Sequence, residues 1–162
     1  MLVDAAAAGQ KIGDLTDVQA HAVKFLQLPI IRQIANATFG QLLLTASVNM
    51  GDSEAFHPLP VVAAHRHRLL AINMTHGNLE AWAGETLAAN GVIAQIDKHL
   101  GAIRVPAVVI QGDDDELVKP MYGRRLAAEL PNARLVMVYG GHMQPYDHPA
   151  TIAVAVASVE AG

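Results

Sequence analysis

The chain contains no cysteine, which excludes a disulfide scaffold and any chemistry that needs a thiolate. Aromatic residues make up only 4% of it, so a core has to be built from Ala, Val, Leu and Ile. Charge is sparse at 16%, with 15 acidic residues against 11 Lys and Arg. No basic run occurs, and this excludes a basic nucleic-acid-binding protein. No stretch approaches the ~20 apolar residues of a membrane span. Met1-Leu2-Val3-Asp4 lacks the basic opening of a signal peptide, and the first cation is Lys11. The expectation is therefore a cytoplasmic protein with no membrane partner. What the chain does have is 52% hydrophobic residues in a length of 162. That excludes a disordered chain, and a domain of ~150 residues buries about 68–70% of its unfolded surface.

Residues from about 16 to 101 read as helical throughout. Thr16 and Asp17 offer an N-cap and first turn, with Val18, Ala22, Phe25 and Leu26 at helical spacing behind them. Pro29 interrupts that pattern and Ile30, Ile31, Ile34 and Ala35 restart it, with Leu42 to Leu44 extending it beyond Gly40. From Met50 to Pro60 the composition turns to Gly, Asp, Ser, His and Pro and predicts a loop. Val61 to Ile72, Leu79 to Ala89 and Val92 to Leu100 predict three short helices, with Gly91 and Gly101 as stops.

After Pro106 the pattern changes. Ala107-Val108-Val109-Ile110 is a continuous apolar, β-branched run with the look of a strand buried on both faces. Met121 to Leu130 predicts an amphipathic helix, Arg134 to Val138 a second strand, and Ala150 to Val159 a last helix, apolar nearly all round. Strand, helix, strand, helix in this order predicts parallel strands, hence an α/β chain. The opening Met1-Leu2-Val3 is apolar but too short to assign from periodicity.

Parallel sheets present functional groups at the carboxyl ends of their strands. One end offers Gly112-Asp113-Asp114-Asp115-Glu116, the other Gly140-Gly141-His142-Met143. A carboxylate that meets an imidazole there fixes its tautomer and stabilises the imidazolium formed when the ring takes a proton. Pattern alone leaves a bland alternative open, in which the acids are a solvated turn and His142 a loop residue.

The segment Ile103-x-Val105-Pro106-Ala107-Val108-Val109-Ile110-Gln111-Gly112-x-x-Asp115-x-x-Val118 resembles the acid-bearing segment of the α/β-hydrolase fold family. Pro131-x-Ala133-x-Leu135, followed by Gly141-His142-Met143 and Asp147-His148-Pro149, resembles its histidine segment. Met1-Leu2-Val3-Asp4 is similar to the strand that precedes the family's cap. The resemblance implies a partial α/β-hydrolase fold with a short parallel sheet, flanking helices and a helical lid. Residues 1–15 and 102–162 would form the carboxyl-terminal part of the core, and 16–101 the lid. It also implies Asp115 as catalytic acid and His142 as general base. Asp113 and Asp114 would be turn residues, and Asp147 and His148 would open the last helix. Trp82, on a lid helix, and Met143 are the candidate substrate-binding residues. The substrate implied for an intact parent is a small uncharged ester or a related molecule, with neither cofactor nor metal.

The nucleophile is missing. The family places it on a sharp turn in a G-x-S-x-G pattern or an Asp or Cys variant, and Ser47, Ser53 and Ser158, the chain's three serines, lie in no such pattern. The nearest formal mimic, Asn36-Ala37-Thr38-Phe39-Gly40, sits in a helical pattern instead. The expectation is an amino-terminally truncated hydrolase, inactive alone, with Met1 an internal methionine. A sheet without its earlier strands would leave one edge unpaired, so self-association is expected. The alternative is a non-catalytic ligand- or partner-binding protein derived from a hydrolase. His65-Arg66-His67 does not suit a metal, because i and i+2 on a helix face different sides. His57, His76 and His99 have no partners at ligand spacing. An Mg²⁺ site at 113–115 would need a second acidic strand end, for which Asp4 alone is a poor candidate.

Overall fold

The computed structural model describes residues 1–3, 5, 8–10, 28–38, 40–73 and 78–160. The helix expected from Thr16 to Leu26 lies outside them, apart from the restart after Pro29, as does His76. Three strands, β1 (Leu2–Val3), β2 (Ala107–Gly112) and β3 (Ala133–Val138), form one parallel sheet in the order β1-β2-β3. Leu2 pairs with Val109, and β2 matches β3 from Ala107 opposite Ala133 to Gly112 opposite Val138. The helices are α1 (Pro29–Thr38), α2 (Gly40–Phe56), α3 (Ala63–Asn73), α4 (Asn78–Asp97), α5 (Pro120–Glu129), α6 (Gln144–Asp147) and α7 (Pro149–Glu160). A 3-10 turn at Leu100–Ala102 precedes β2. Three helices open on proline, where the missing N–H costs nothing and the fixed φ already suits a helix.

The chain divides into two compact units. One comprises Met1–Gln10, Ser53–Pro60 and Ile93–Gly162, the other Lys11–Asp52 and Val61–Val92. In the first, the sheet is covered on both faces with a strict period of two. Val109 packs with Ala8, Leu100, Leu126 and Leu130, joined by Ala107, Ala133 and Leu135. Val108 and Ile110 turn the other way onto Ala155, with Ile152, Val159, Val3, Val136 and Val138 around them. Full burial of a side chain of this size contributes about 1.5–3 kcal/mol, so the run from Val108 to Ile110 makes β2 the centre of the unit. The last helix packs on one face only: Ile152, Ala155 and Val159 meet the sheet, whereas Val154 is 69% exposed.

Two differences from the sequence pattern concern helix ends. The segment from Met50 to Pro60 is not a loop over its first half, because α2 continues to Phe56. Gly91 does not stop a helix either, and α4 runs through it from Asn78 to Asp97. A Cβ at Gly91 would meet nothing within 4 Å, so the glycine faces open space and costs only its backbone entropy.

In the second unit, the buried Asp52 of α2 explains part of the first difference. Its Oδ1 lies 3.1 Å from His65 Nε2 and its Oδ2 accepts from Arg66 Nε at 3.2 Å, joining α2 to α3. Among the described residues no helix is long and apolar enough to cross a membrane.

Candidate active site

Both strand ends named by the sequence come together. Asp113 N–H donates to Val138 O at 2.8 Å, one step beyond the β2–β3 ladder, and Asp114 N–H donates to Gly140 O at 3.1 Å. The Asp113 carboxylate returns the contact, with Oδ1 accepting from Gly140 N–H at 3.0 Å. Asp113 and Asp114 thus tie the acid turn to the histidine turn. Two glycines permit this approach. A Cβ on Gly112 would overlap the carbonyl oxygens of Gly140 and Gly141 and the Gln144 amide, and Gly140 adopts φ +112°.

Asp115 points inward and is 2% exposed. Its Oδ1 accepts from Leu117 N–H at 2.9 Å and Val118 N–H at 2.8 Å. Its Oδ2 lies 2.9 Å from His142 Nδ1 and 3.3 Å from the Gln111 Nε2 that donates to it. Four donors therefore surround one carboxylate, which compensates its removal from water. With Asp115 accepting, the proton sits on Nδ1, and the ring lone pair that can take a proton is on Nε2. The His142 side chain is 29% exposed, so the ring is partly open to a reactant.

The histidine turn has a second support that composition concealed. Ala55 O, in the last turn of α2, accepts from His142 N–H at 2.7 Å and from Met143 N–H at 3.1 Å. The His57 ring lies 3.8 Å from Asp114 and 3.9 Å from Glu116 at the exposed rim. Gln111, buried completely, was quoted in the sequence only as part of a motif; it also donates to Val118 O at 2.9 Å. Its signal is an amide inside an otherwise apolar strand, where a polar side chain needs a partner.

Trp82 falls in α4, and its side chain lies outside the described residues. Met143 follows the histidine and is half-buried. Asp147 belongs to the short α6, and burial raises its pKa above the usual carboxylate value, partly offset by His148. None of the three serines stands at a strand end: Ser47 and Ser53 are in α2, and Ser158 in α7 donates to Ala155 O. Thr38, at the centre of the formal mimic, is helical and donates to Ile34 O at 2.7 Å. Among the described residues no group of three or more His, Cys, Asp or Glu could hold a metal ion.

No family model and no curated protein matches the chain. Solved structures do. A bromoperoxidase from Bacillus anthracis is similar over 99% of this chain and 56% of its own, with a TM-score of 0.65 and 16% identity. An α/β hydrolase enzyme from a Medee basin deep-sea metagenome library is similar over 99% and 55%, with a TM-score of 0.59 and 21% identity. An enol-lactonase from Burkholderia xenovorans is similar over 85% and 51%, with a TM-score of 0.57 and 22% identity. The chain spans about half the length of these structures. Its three parallel strands and flanking helices are a partial α/β-hydrolase fold.

Proposed function

We propose that this chain is the acid–base half of a hydrolase that cleaves a small uncharged ester or a related bond. The observation that carries the reading is the 2.9 Å contact between a buried, fourfold-coordinated Asp115 and Nδ1 of a half-open His142. In this reading residues 1–15 and 102–162 are core, 16–101 are the lid, and Trp82 and Met143 meet the substrate. The nucleophile comes from a segment that is not among the 162 residues.

The chemistry follows from the tautomer. As the nucleophile's hydroxyl oxygen attacks the carbonyl carbon, His142 Nε2 takes its proton, and the Asp115 carboxylate stabilises the imidazolium. The same nitrogen then gives that proton to the leaving alkoxide. In the second half-reaction it takes a proton from the water that attacks the acyl intermediate and returns it to the nucleophile's oxygen as the acid is released. A positioned base of this kind is worth on the order of 10²–10⁴ in rate. Without the nucleophile there is no covalent intermediate, and the 162-residue chain alone is inactive.

The test is hydrolysis of a short-chain aryl ester. The chain by itself should not exceed its His142→Ala variant. Preceded in frame by a strand–turn–helix segment bearing G-x-S-x-G, it should turn over, and His142→Ala should remove that turnover. Equal rates with and without His142 in the extended protein would reject the reading.

A further inference from the structure

The turn that carries His142 is weakly fixed by its own sequence. It follows the end of β3 through Gly140, at φ +112°, and Gly141, and consecutive glycines leave the backbone many alternatives. The sheet side is held at Gly140, through Asp113 and Asp114. The backbone N–H of His142 itself is held elsewhere, by Ala55 O at 2.7 Å, and the same oxygen takes Met143 N–H at 3.1 Å. A Cβ on Gly141 would strike the backbone of His57 and the carbonyl of Ala55, so the two segments lie in direct contact. Phe56, between them, is 0% exposed, and its ring sits 5.6 Å from that of Tyr146 at 56°. That aromatic pair anchors the segment to α6, immediately after the histidine turn.

We propose that Ala55–His57 is a positioning segment for the His142 imidazole. The proposal rests on the reading of His142 as the base and adds what aims it. The ring hangs from a Cα whose amide is fixed by Ala55, so a shift of this segment moves Nδ1 relative to Asp115 Oδ2. Hydrogen bonds weaken steeply with distance and misalignment. Loosening the segment therefore releases the Nδ1–H tautomer, even though Asp115 stays in place.

The experiment is ¹⁵N NMR of the histidine rings in the 162-residue chain, at a pH where imidazole is neutral. Wild type should hold His142 as the Nδ1–H tautomer. Phe56→Leu keeps an apolar side chain but loses the ring contact, and Gly141→Ala forces the two backbones apart. Both should give a mixture with the Nε2–H tautomer and lose the hydrogen-bonded Nδ1 proton resonance. Leu130→Ala serves as the control, since it opens the core beside Leu100 and Leu126 rather than beside the histidine turn; it should lose stability and keep the wild-type tautomer. Should Gly141→Ala fail to fold, Phe56→Leu decides alone. If Phe56→Leu retains the wild-type tautomer while its melting temperature falls as in Leu130→Ala, the segment is packing only and the proposal is overturned. If wild type itself lacks the Nδ1–H tautomer, the acid–base reading fails, and the positioning role with it.

Discussion

Replacing Asp97, the last residue of α4, should destabilise the sheet-bearing unit markedly. The carboxylate stands at the end of α4 and closes on the turn after β1. Its Oδ1 accepts from Ala8 N–H at 2.7 Å and its Oδ2 from Gly9 N–H at 2.6 Å. Ala8 is fully buried at φ 57° and Gly9 has φ +85°, an arrangement that turns two successive amides toward one anion. A hydrogen bond to a charged group is worth about 1.5–3 kcal/mol net. In Asp97→Ala the Ala8 amide is left buried without an acceptor and loses about 2 kcal/mol, whereas Gly9, half-buried, recovers part of its loss from water and loses about 1 kcal/mol. The expected cost is about 3 kcal/mol, a large share of the roughly 5–15 kcal/mol that stabilises a typical domain. At about 2–4 °C per kcal/mol for a chain of this size, the melting temperature should fall by roughly 6–12 °C. Asp97→Asn keeps one acceptor and should cost about 1–2 kcal/mol. Urea unfolding followed by circular dichroism reads both variants. Unfolding free energies within about 0.5 kcal/mol of wild type, the range of ordinary surface changes, would refute the reasoning.

Three further outcomes follow from the geometry. Gly112→Ala places a methyl group against two carbonyl oxygens and the Gln144 amide, and should cost about 1–3 kcal/mol by thermal denaturation; a neutral result would mean that the acid and histidine turns are farther apart. Asp147 has a buried oxygen without a hydrogen-bond partner, and burial raises its pKa. It holds its proton more tightly folded than unfolded, so its contribution to stability is full below the ordinary carboxylate pKa and is lost as pH rises through the folded value. Asp147→Asn should therefore raise the urea midpoint near neutral pH, and the gap should close on acidification below about pH 4. Among the described residues β1 pairs with β2 alone, and Leu2 on it and Met1 just before it are exposed. The chain should form dimers or larger species by light scattering, and Leu2→Lys should shift them toward monomer; a monodisperse wild-type monomer contradicts this.

The sheet was legible where apolar side chains run without interruption. Val108, Val109 and Ile110 are buried on both faces, and a strand of that kind has no polar alternation to confuse it with a surface element. Asp115 could be singled out because it follows such a strand, and His142 because it follows a second, partly buried apolar run, Leu135 to Val138. What supports them was not. Gly51, Asp52 and Ser53 read as a loop because each is a poor helix former taken alone. Tertiary partners override that preference: Asp52 is buried against His65 and Arg66, and Phe56 is buried beside Tyr146. Ala55 acts through a backbone carbonyl, and Asp97 on backbone amides 88 and 89 residues away. Neither pairing leaves a trace in side-chain pattern, since a main-chain carbonyl exists at every residue and a main-chain N–H at every residue but proline.

The account depends most on the pairing of Asp115 with His142, and one substitution tests that pairing directly. In the protein extended with its nucleophile segment, Asp115→Asn preserves the shape of the site but offers His142 an amide, which can favour the wrong tautomer. The rate constant kcat for aryl-ester hydrolysis should fall on the order of 10⁴-fold near neutral pH, while binding of substrate changes little. A kcat within a few-fold of the parent would contradict the assignment of Asp115 as the residue that orients the base.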